Sequence, residues 1–271
     1  MPHRLPFRSV TSRQNPIVAA CREAAARPSD ELVLIEGARL ALEAVRAGWK
    51  PTLVAFTGEA REGSAAVALM GGLDEDTDCA IVPRAVIEAM SPAASPSGVV
   101  ALVRPPSRRR GPFEHAAPLV LAACDVQDPG NLGAMARAAE AAGASGLLVC
   151  GASAHPFGWK ALRGSMGSAF RLPIVGYATA ADAIDAARAR RLRIVALSVR
   201  DGEALYAADL RGPAAIFAGG EGAGLATDVV AAADAAVSIP MAPPVESLNV
   251  AVAAAVALYE AARQRSPSPN R

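Results

Sequence analysis

The C-terminal half of this chain carries three polar or glycine-rich kinks, each at the edge of an apolar run. The first is Asp128-Pro129-Gly130-Asn131, leading on to Arg137. The second is Gly219-Gly220-Glu221-Gly222, and the third is Ile239-Pro240-Met241 with Ser247-Leu248-Asn249 close behind. An ordinary core has no need for carboxylates, amides and forced bends at such places, because polar groups are costly to bury.

The runs between the kinks are built from small aliphatics: 52% of the 271 residues are hydrophobic but only 4% are aromatic. Such a core suits helices lying closely on a sheet. In the second half, 119–124, 146–150, 193–197, 214–217 and 236–239 read as strands. Residues 132–142, 180–190, 227–232 and 248–263 read as helices, with an irregular stretch between the second strand and the second helix. Continuous apolar strands separated by helices predict a parallel sheet covered on both faces. The first hundred residues read as a smaller α/β unit, with helices over 15–26 and 38–47 and strands over 32–35, 53–56, 79–82 and 98–103. Between the two lies a Pro/Arg-rich segment around Arg104-Pro105-Pro106 and Arg108-Arg109-Arg110 that can continue neither helix nor central strand. The expected organisation is a domain over 1–103, a linker over 104–116, a second domain over 117–264 and a disordered tail over 265–271.

A net charge of +1 excludes a simple polybasic nucleic-acid binder, so any such contact must come from local clusters. Cys21, Cys79, Cys124 and Cys150 are widely spaced and without Cys-x-x-Cys, which reads as buried free thiols in a reducing cytosol, not as a disulfide or metal site. No apolar run reaches the roughly 20 residues that span a bilayer. The basic, acid-free start, Met1 to Arg22, faintly suggests a targeting segment. However, Thr11-Ser12-Arg13-Gln14-Asn15-Pro16 already looks like the beginning of a folded domain.

Pro129-Gly130 forces a turn, and Asn131 is a good helix cap. Neither explains Arg137, a lone cation in a helix of Ala, Leu, Met and Gly: it is either a snorkelling surface residue or a charge aimed at a site. Its small neighbours Gly133, Ala134, Ala138 and Ala141 permit close approach of another backbone or subunit. The second kink has no Gly-Lys-Ser/Thr and no GxGxxG register, so it is neither a P-loop nor a dinucleotide site. By itself it is a turn, apart from the carboxylate of Glu221 in its middle. Ser247 reads as the cap of the last helix, whose free N–H groups are natural donors.

In order and spacing the three kinks resemble the SpoU/TrmH family (SPOUT class) of RNA ribose 2′-O-methyltransferases, across about residues 117–264. The segment 162–173 is similar to the family's stretch between its first two motifs. Thr11–Pro16, Ile35-Glu36-Gly37 and Ser95–Val100 resemble its substrate-binding domain, with Ser97 where the family often has glutamine. The resemblance implies an α/β fold with a deep trefoil knot in the C-terminal parallel-sheet domain and a small L7Ae/L30e-like RNA-binding domain before it. It also implies a cytoplasmic homodimer formed through the C-terminal domain. S-adenosylmethionine would be held by Leu197, Gly219, Ile239, Met241, Ser247 and Leu248, and S-adenosylhomocysteine released. Asn131, Arg137, Glu221, Ser247 and Asn249 would form the catalytic set. RNA would be gripped by Arg13, Gln14 and Asn15 and by Arg108, Arg109 and Arg110, with ribosomal RNA favoured over transfer RNA and no metal required.

The implied reaction is in-line attack of a ribose 2′-hydroxyl on a sulfonium methyl, which asks the protein chiefly for alignment and help with one proton. A guanidinium is a poor base, so Arg137 is read as a cation that stabilises the developing alkoxide. The competing readings are a transfer-RNA methyltransferase, a silent RNA-binding protein of the same fold, and a different nucleotide-binding α/β enzyme.

Overall fold

The computed structural model describes residues 5–107, 110–199, 202–220, 222 and 224–266. They divide into two compact units, the described parts of Met1–Arg108 with Phe157–Phe170, and those of Arg109–Pro156 with Arg171–Arg271.

The first unit is a five-stranded sheet of β1 (Phe7–Ser9), β2 (Val33–Glu36), β3 (Lys50–Phe56), β4 (Asp78–Ile81) and β5 (Val99–Arg104), ordered β1-β4-β3-β5-β2. The β1, β4 and β3 strands run parallel, and β5 is antiparallel to both β3 and β2. Side chains alternate along each strand. Leu34, Leu53, Ala55 and Ala80 therefore share one core with α1 (Pro16–Ala26) and α4 (Arg84–Met90). On the sequence side α1 was expected one residue earlier, and Asn15 is in fact its cap, accepting from the Ile17 N–H. The helix α2 (Ala38–Arg46) packs against α3 (Ser64–Met70). The reading of the sequence contained neither β1, α3 nor α4.

This unit also takes in a piece of chain from far along the sequence. Trp49 is fully buried, donates from Nε1 to the Phe170 carbonyl at 3.1 Å, and stacks edge-on against Phe157 and Phe170 with ring centroids 5.2 and 5.1 Å away.

In the second unit a seven-stranded, all-parallel sheet has the order β10-β12-β9-β11-β6-β7-β8. In chain order the elements are β6 (Leu119–Cys124), α5 (Pro129–Ala141), β7 (Gly146–Cys150), then α6 (Trp159–Ser165, in the first unit) and α7 (Ser168–Arg171). There follow β8 (Ile174–Tyr177), α8 (Ala180–Ala189), β9 (Arg193–Leu197), β10 (Glu203–Ala204), β11 (Ala214–Gly219), α9 (Thr227–Ala231), β12 (Ala235–Ser238) and α10 (Val250–Arg265). The α5 and α10 helices pack together on one face, over Leu121, Val195 and Ile216; α8 covers the other, over Val120, Ile194 and Phe217. This is the parallel sheet covered on both faces that the uninterrupted apolar strands demand.

Several boundaries differ from the sequence reading by one to three residues, and two details stand out. The irregular stretch before α8 holds α6, α7 and β8. The last helix starts at Val250, not Leu248, and runs to Arg265, whose guanidinium bonds the Leu210, Gly212 and Ala117 carbonyls. Arg265 and Ser266, expected in the tail, thus belong to the helix and its cap, and 267–271 lie outside the described residues. All four cysteines are buried and free. Among the described residues no helix is long and apolar enough to cross a membrane.

Candidate active site

The cofactor residues named above come together at the carboxyl edge of the second sheet. Leu197 ends β9, Gly219 ends β11, and Ile239 follows β12, three adjacent strands in the order β12-β9-β11. Ligand crevices in open α/β sheets lie at this edge. All six, Leu197, Gly219, Ile239, Met241, Ser247 and Leu248, line one cavity of about 360 Å³, together with Asn249.

One wall of the cavity is almost bare main chain. An ideal Cβ on Gly219 would lie 2.1 Å from the Gly224 carbonyl carbon, and one on Gly220 would lie 2.2 Å from the Asp125 carbonyl oxygen. Neither position tolerates a side chain. The loop closes on itself through the Gly224 N–H to the Gly220 carbonyl, with φ of +86° at Gly222 and +68° at Gly224, where glycine is at little cost.

The catalytic set assembles in part. Asp128, not Asn131, caps α5: its Oδ1 accepts the Asn131 N–H at 2.8 Å. That leaves the Asn131 side chain free of the capping role, and its Oδ1 accepts from Asn249 Nδ2 at 3.0 Å. Asn249 is itself the cap of α10, accepting from the Ala251 and Val252 N–H groups. The expectation that Ser247 caps this helix is therefore overturned. An Asn in extended backbone immediately before the helix takes the role, and Ser247 is released to the cavity wall.

Arg137 lies on the exposed side of α5, about 9 Å along the helix from Asn131 at 1.5 Å rise per residue. No hydrogen bond or ion pair to another described residue holds it, and it is not among the cavity's lining. Of its small neighbours, Gly133 is buried, Ala134 and Ala138 are half-buried against the core that α5 shares with α10, and Ala141 is exposed. Glu221 lies outside the described residues, as do Arg108 and Arg109.

Among the residues named for RNA, Arg13 is exposed and donates from Nε to the Ala85 carbonyl, Gln14 is exposed, and Asn15 caps α1. Arg110 is exposed in the second unit. The described residues hold no group of three metal-ligating side chains. Sequence reasoning missed Ser198, Val199, Gly220 and Ala253, which also line the cavity. Gly220 stood inside the quoted motif; the others carry no signal beyond adjacency to a strand end or a helix start.

Strand-edge cavity, glycine wall and paired asparagines together make the α/β methyltransferases the class to compare. Residues 118–259 match the SpoU rRNA Methylase family, and 18–101 match the MRM3-like substrate binding domain. The chain is 33% identical over 262 residues to an uncharacterized tRNA/rRNA methyltransferase of Synechocystis, covering 95% of this chain and 94% of that one. It is 37% identical over 154 residues to the 23S rRNA (guanosine-2′-O-)-methyltransferase of Ralstonia nicotianae, covering 57% and 62%. Its fold matches the crystal structure of the SpoU methyltransferase AviRb from Streptomyces viridochromogenes in complex with AdoMet. The TM-score is 0.83 at 29% identity, over 93% of this chain and 98% of that one. The chain belongs to the SpoU rRNA methylase family.

Proposed function

We propose that this enzyme, an RNA ribose 2′-O-methyltransferase using S-adenosylmethionine, acts on ribosomal RNA. The observation that carries the methyl-transfer reading is the cavity of about 360 Å³ lined by Asn249, whose side chain donates to Asn131. The volume falls within the roughly 300–1,000 Å³ of small-molecule sites. Leu197, Ile239, Met241 and Leu248 offer apolar surface for an adenine, and the glycine wall offers main-chain donors and acceptors. Bound S-adenosylmethionine supplies an electrophilic methyl. Asn131 and Asn249 then fix the starts of α5 and α10 against each other, and Ser247 contributes a hydroxyl at the wall. Arg137 stabilises the alkoxide that develops as the ribose hydroxyl attacks, and holds the neighbouring phosphate. Glu221 orients that guanidinium. Ribosomal RNA is favoured by the similarity to the 23S rRNA enzyme of Ralstonia nicotianae.

The same reading includes a cytoplasmic homodimer, a trefoil knot in the second unit and an L7Ae/L30e-like RNA-binding first unit, with Arg13, Gln14, Asn15 and Arg108–Arg110 touching RNA. The dimer is supported by Val252 and Tyr259, seven residues apart on one side of α10 and 49% and 54% exposed. The knot is supported by the strand order. The chain enters β11 between β9 and β6, goes out to β12 and returns to lay α10 on α5.

The test is transfer of labelled methyl from S-adenosylmethionine to ribosomal and transfer RNA from a strain lacking the gene, with Arg137→Ala alongside. Label on a ribose of ribosomal RNA, lost in the variant while cofactor affinity stays within about threefold, is the expected result. Label confined to transfer RNA would replace the substrate. Cofactor binding absent from the wild type would leave the silent RNA-binder.

A further inference from the structure

Three residues before the first motif stands a residue that none of the three motifs includes. Asp125 follows directly on β6 and adopts φ +56°, a left-handed conformation that non-glycine residues avoid and Asp tolerates better than most. Four hydrogen bonds tie this kink to the end of β7 and the loop after it. The Asp125 N–H donates to the Cys150 carbonyl, and Asp125 Oδ1 accepts the Ala152 N–H at 2.8 Å. Next to it, the Val126 N–H donates to Ser153 Oγ, and the Val126 carbonyl accepts the Ala154 N–H.

Two glycines yield space to the same residue. An ideal Cβ on Gly151, itself at φ +63°, would lie 2.4 Å from Asp125 Oδ1, and one on Gly220 would lie 2.2 Å from the Asp125 carbonyl oxygen. One side of the kink is thus clamped to the β7 loop. The other side lies against Gly220 of the cavity wall, and among the described residues no hydrogen bond or side chain comes between them. Three residues further on, Asp128 starts the helix that presents Asn131 and Arg137.

We infer that Asp125 is a positioning residue for the transfer reaction. Its carboxylate, holding the Ala152 N–H, sets the height of the Gly219–Gly220 wall relative to the start of α5, and so the cofactor relative to Asn131 and Arg137. The inference rests on the methyl-transfer reading.

Three variants test it: Asp125→Ala, which loses the acceptor and is strained at positive φ; Asp125→Gly, which loses only the acceptor; and Asp125→Asn, which keeps an acceptor and tolerates the conformation. Melting temperature, S-adenosylmethionine affinity by calorimetry, and kcat and KM for RNA are measured for each. Small displacements of aligned groups cost up to about 100-fold. Accordingly kcat in Asp125→Gly is expected to fall about 10- to 100-fold and cofactor affinity several-fold. KM for RNA should change little and the melting temperature should stay near wild type, while Asp125→Asn restores most of kcat. Asp125→Ala should match Asp125→Gly in kcat but melt lower. Unchanged kcat and affinity in Asp125→Gly would overturn the inference, leaving a merely structural kink. So would an Asp125→Asn as impaired as Asp125→Gly. A wild type that binds no S-adenosylmethionine would overturn the methyl-transfer reading itself, a result separate from either.

Discussion

Asn249 Nδ2 donates to Asn131 Oδ1 across 3.0 Å, joining the starts of two helices whose residues lie 118 positions apart in the chain. The other end of the same amide, Oδ1, caps α10. A single side chain therefore terminates one helix and ties it to the next, and the α5–α10 packing beneath continues the connection into the core.

Asn249→Ala removes both roles, and loss of a cap costs about 1 kcal/mol. Asn249→Ser keeps a capping oxygen but is too short to reach Asn131. The serine variant is expected to recover most of the stability lost by alanine, measured by urea denaturation, yet to remain as poor as alanine in methyl transfer. Equal activities for serine and wild type would mean that the bridge between the helices is incidental.

Gly219→Ala places a methyl 2.1 Å from the Gly224 main chain, so the loop must move. Overpacking of this kind costs about 1–3 kcal/mol. Calorimetry should find S-adenosylmethionine affinity reduced at least about tenfold, since roughly 1.4 kcal/mol is a factor of ten. Gly176→Ala is the control: an ideal Cβ there meets nothing within 4 Å, and affinity should be unchanged.

Trp49 makes the first unit depend on distant chain. Trp49→Phe leaves the buried Phe170 carbonyl without its donor, at a cost of about 1–3 kcal/mol. A fragment ending at residue 107 lacks Phe157 and Phe170 altogether. It should melt well below the full chain and be stabilised by adding a peptide of residues 157–170, read by circular dichroism. A fragment indifferent to the peptide would show that the aromatic cluster contributes nothing.

Burial pushes the Cys21 thiol from 9.0 up to about 12 and the Cys79 thiol up to about 11. Cys124 is raised too, first by its hydrogen bond to Cys150 and then by burial. A raised folded-state value means that stability is full below pH 9 and falls as pH rises toward 11–12, where unfolded thiols ionise and folded ones do not. Melting temperature should therefore drop between about pH 9 and 11, and the drop should be shallower in Cys21→Ala and Cys79→Ala. An equal slope in those variants would assign alkaline loss to other groups.

The parts of this molecule legible in the sequence are those with one-dimensional signals. The buried strands Leu119–Cys124, Gly146–Cys150 and Arg193–Leu197 are continuous apolar runs between turns, and their boundaries coincide with those expected. The strand ends and the glycine-rich bend that line the cavity were visible as interruptions. Capping was legible in kind but not in place: Asp128 and Asn131, and Ser247 and Asn249, are equally good caps by residue type, and only backbone geometry decides between them. The short helices Ser64–Met70 and Trp159–Ser165 escaped because seven residues show too little periodicity. Membership of Phe157–Phe170 in the first unit is a matter of long-range packing, and no local pattern records it.

The glycine wall has a consequence for how such an enzyme diversifies. A surface made of peptide groups has no side chains to exchange, so single substitutions at Gly219 and Gly220 can damage it but cannot retune it. If the wall holds the methyl donor as proposed, preference for that donor is in this sense frozen into the backbone. Arg13, Gln14 and Arg110, the residues proposed to touch RNA, by contrast stand exposed, where replacement is cheap. Drift between RNA targets is open to this scaffold at almost every step, and drift between donors at almost none.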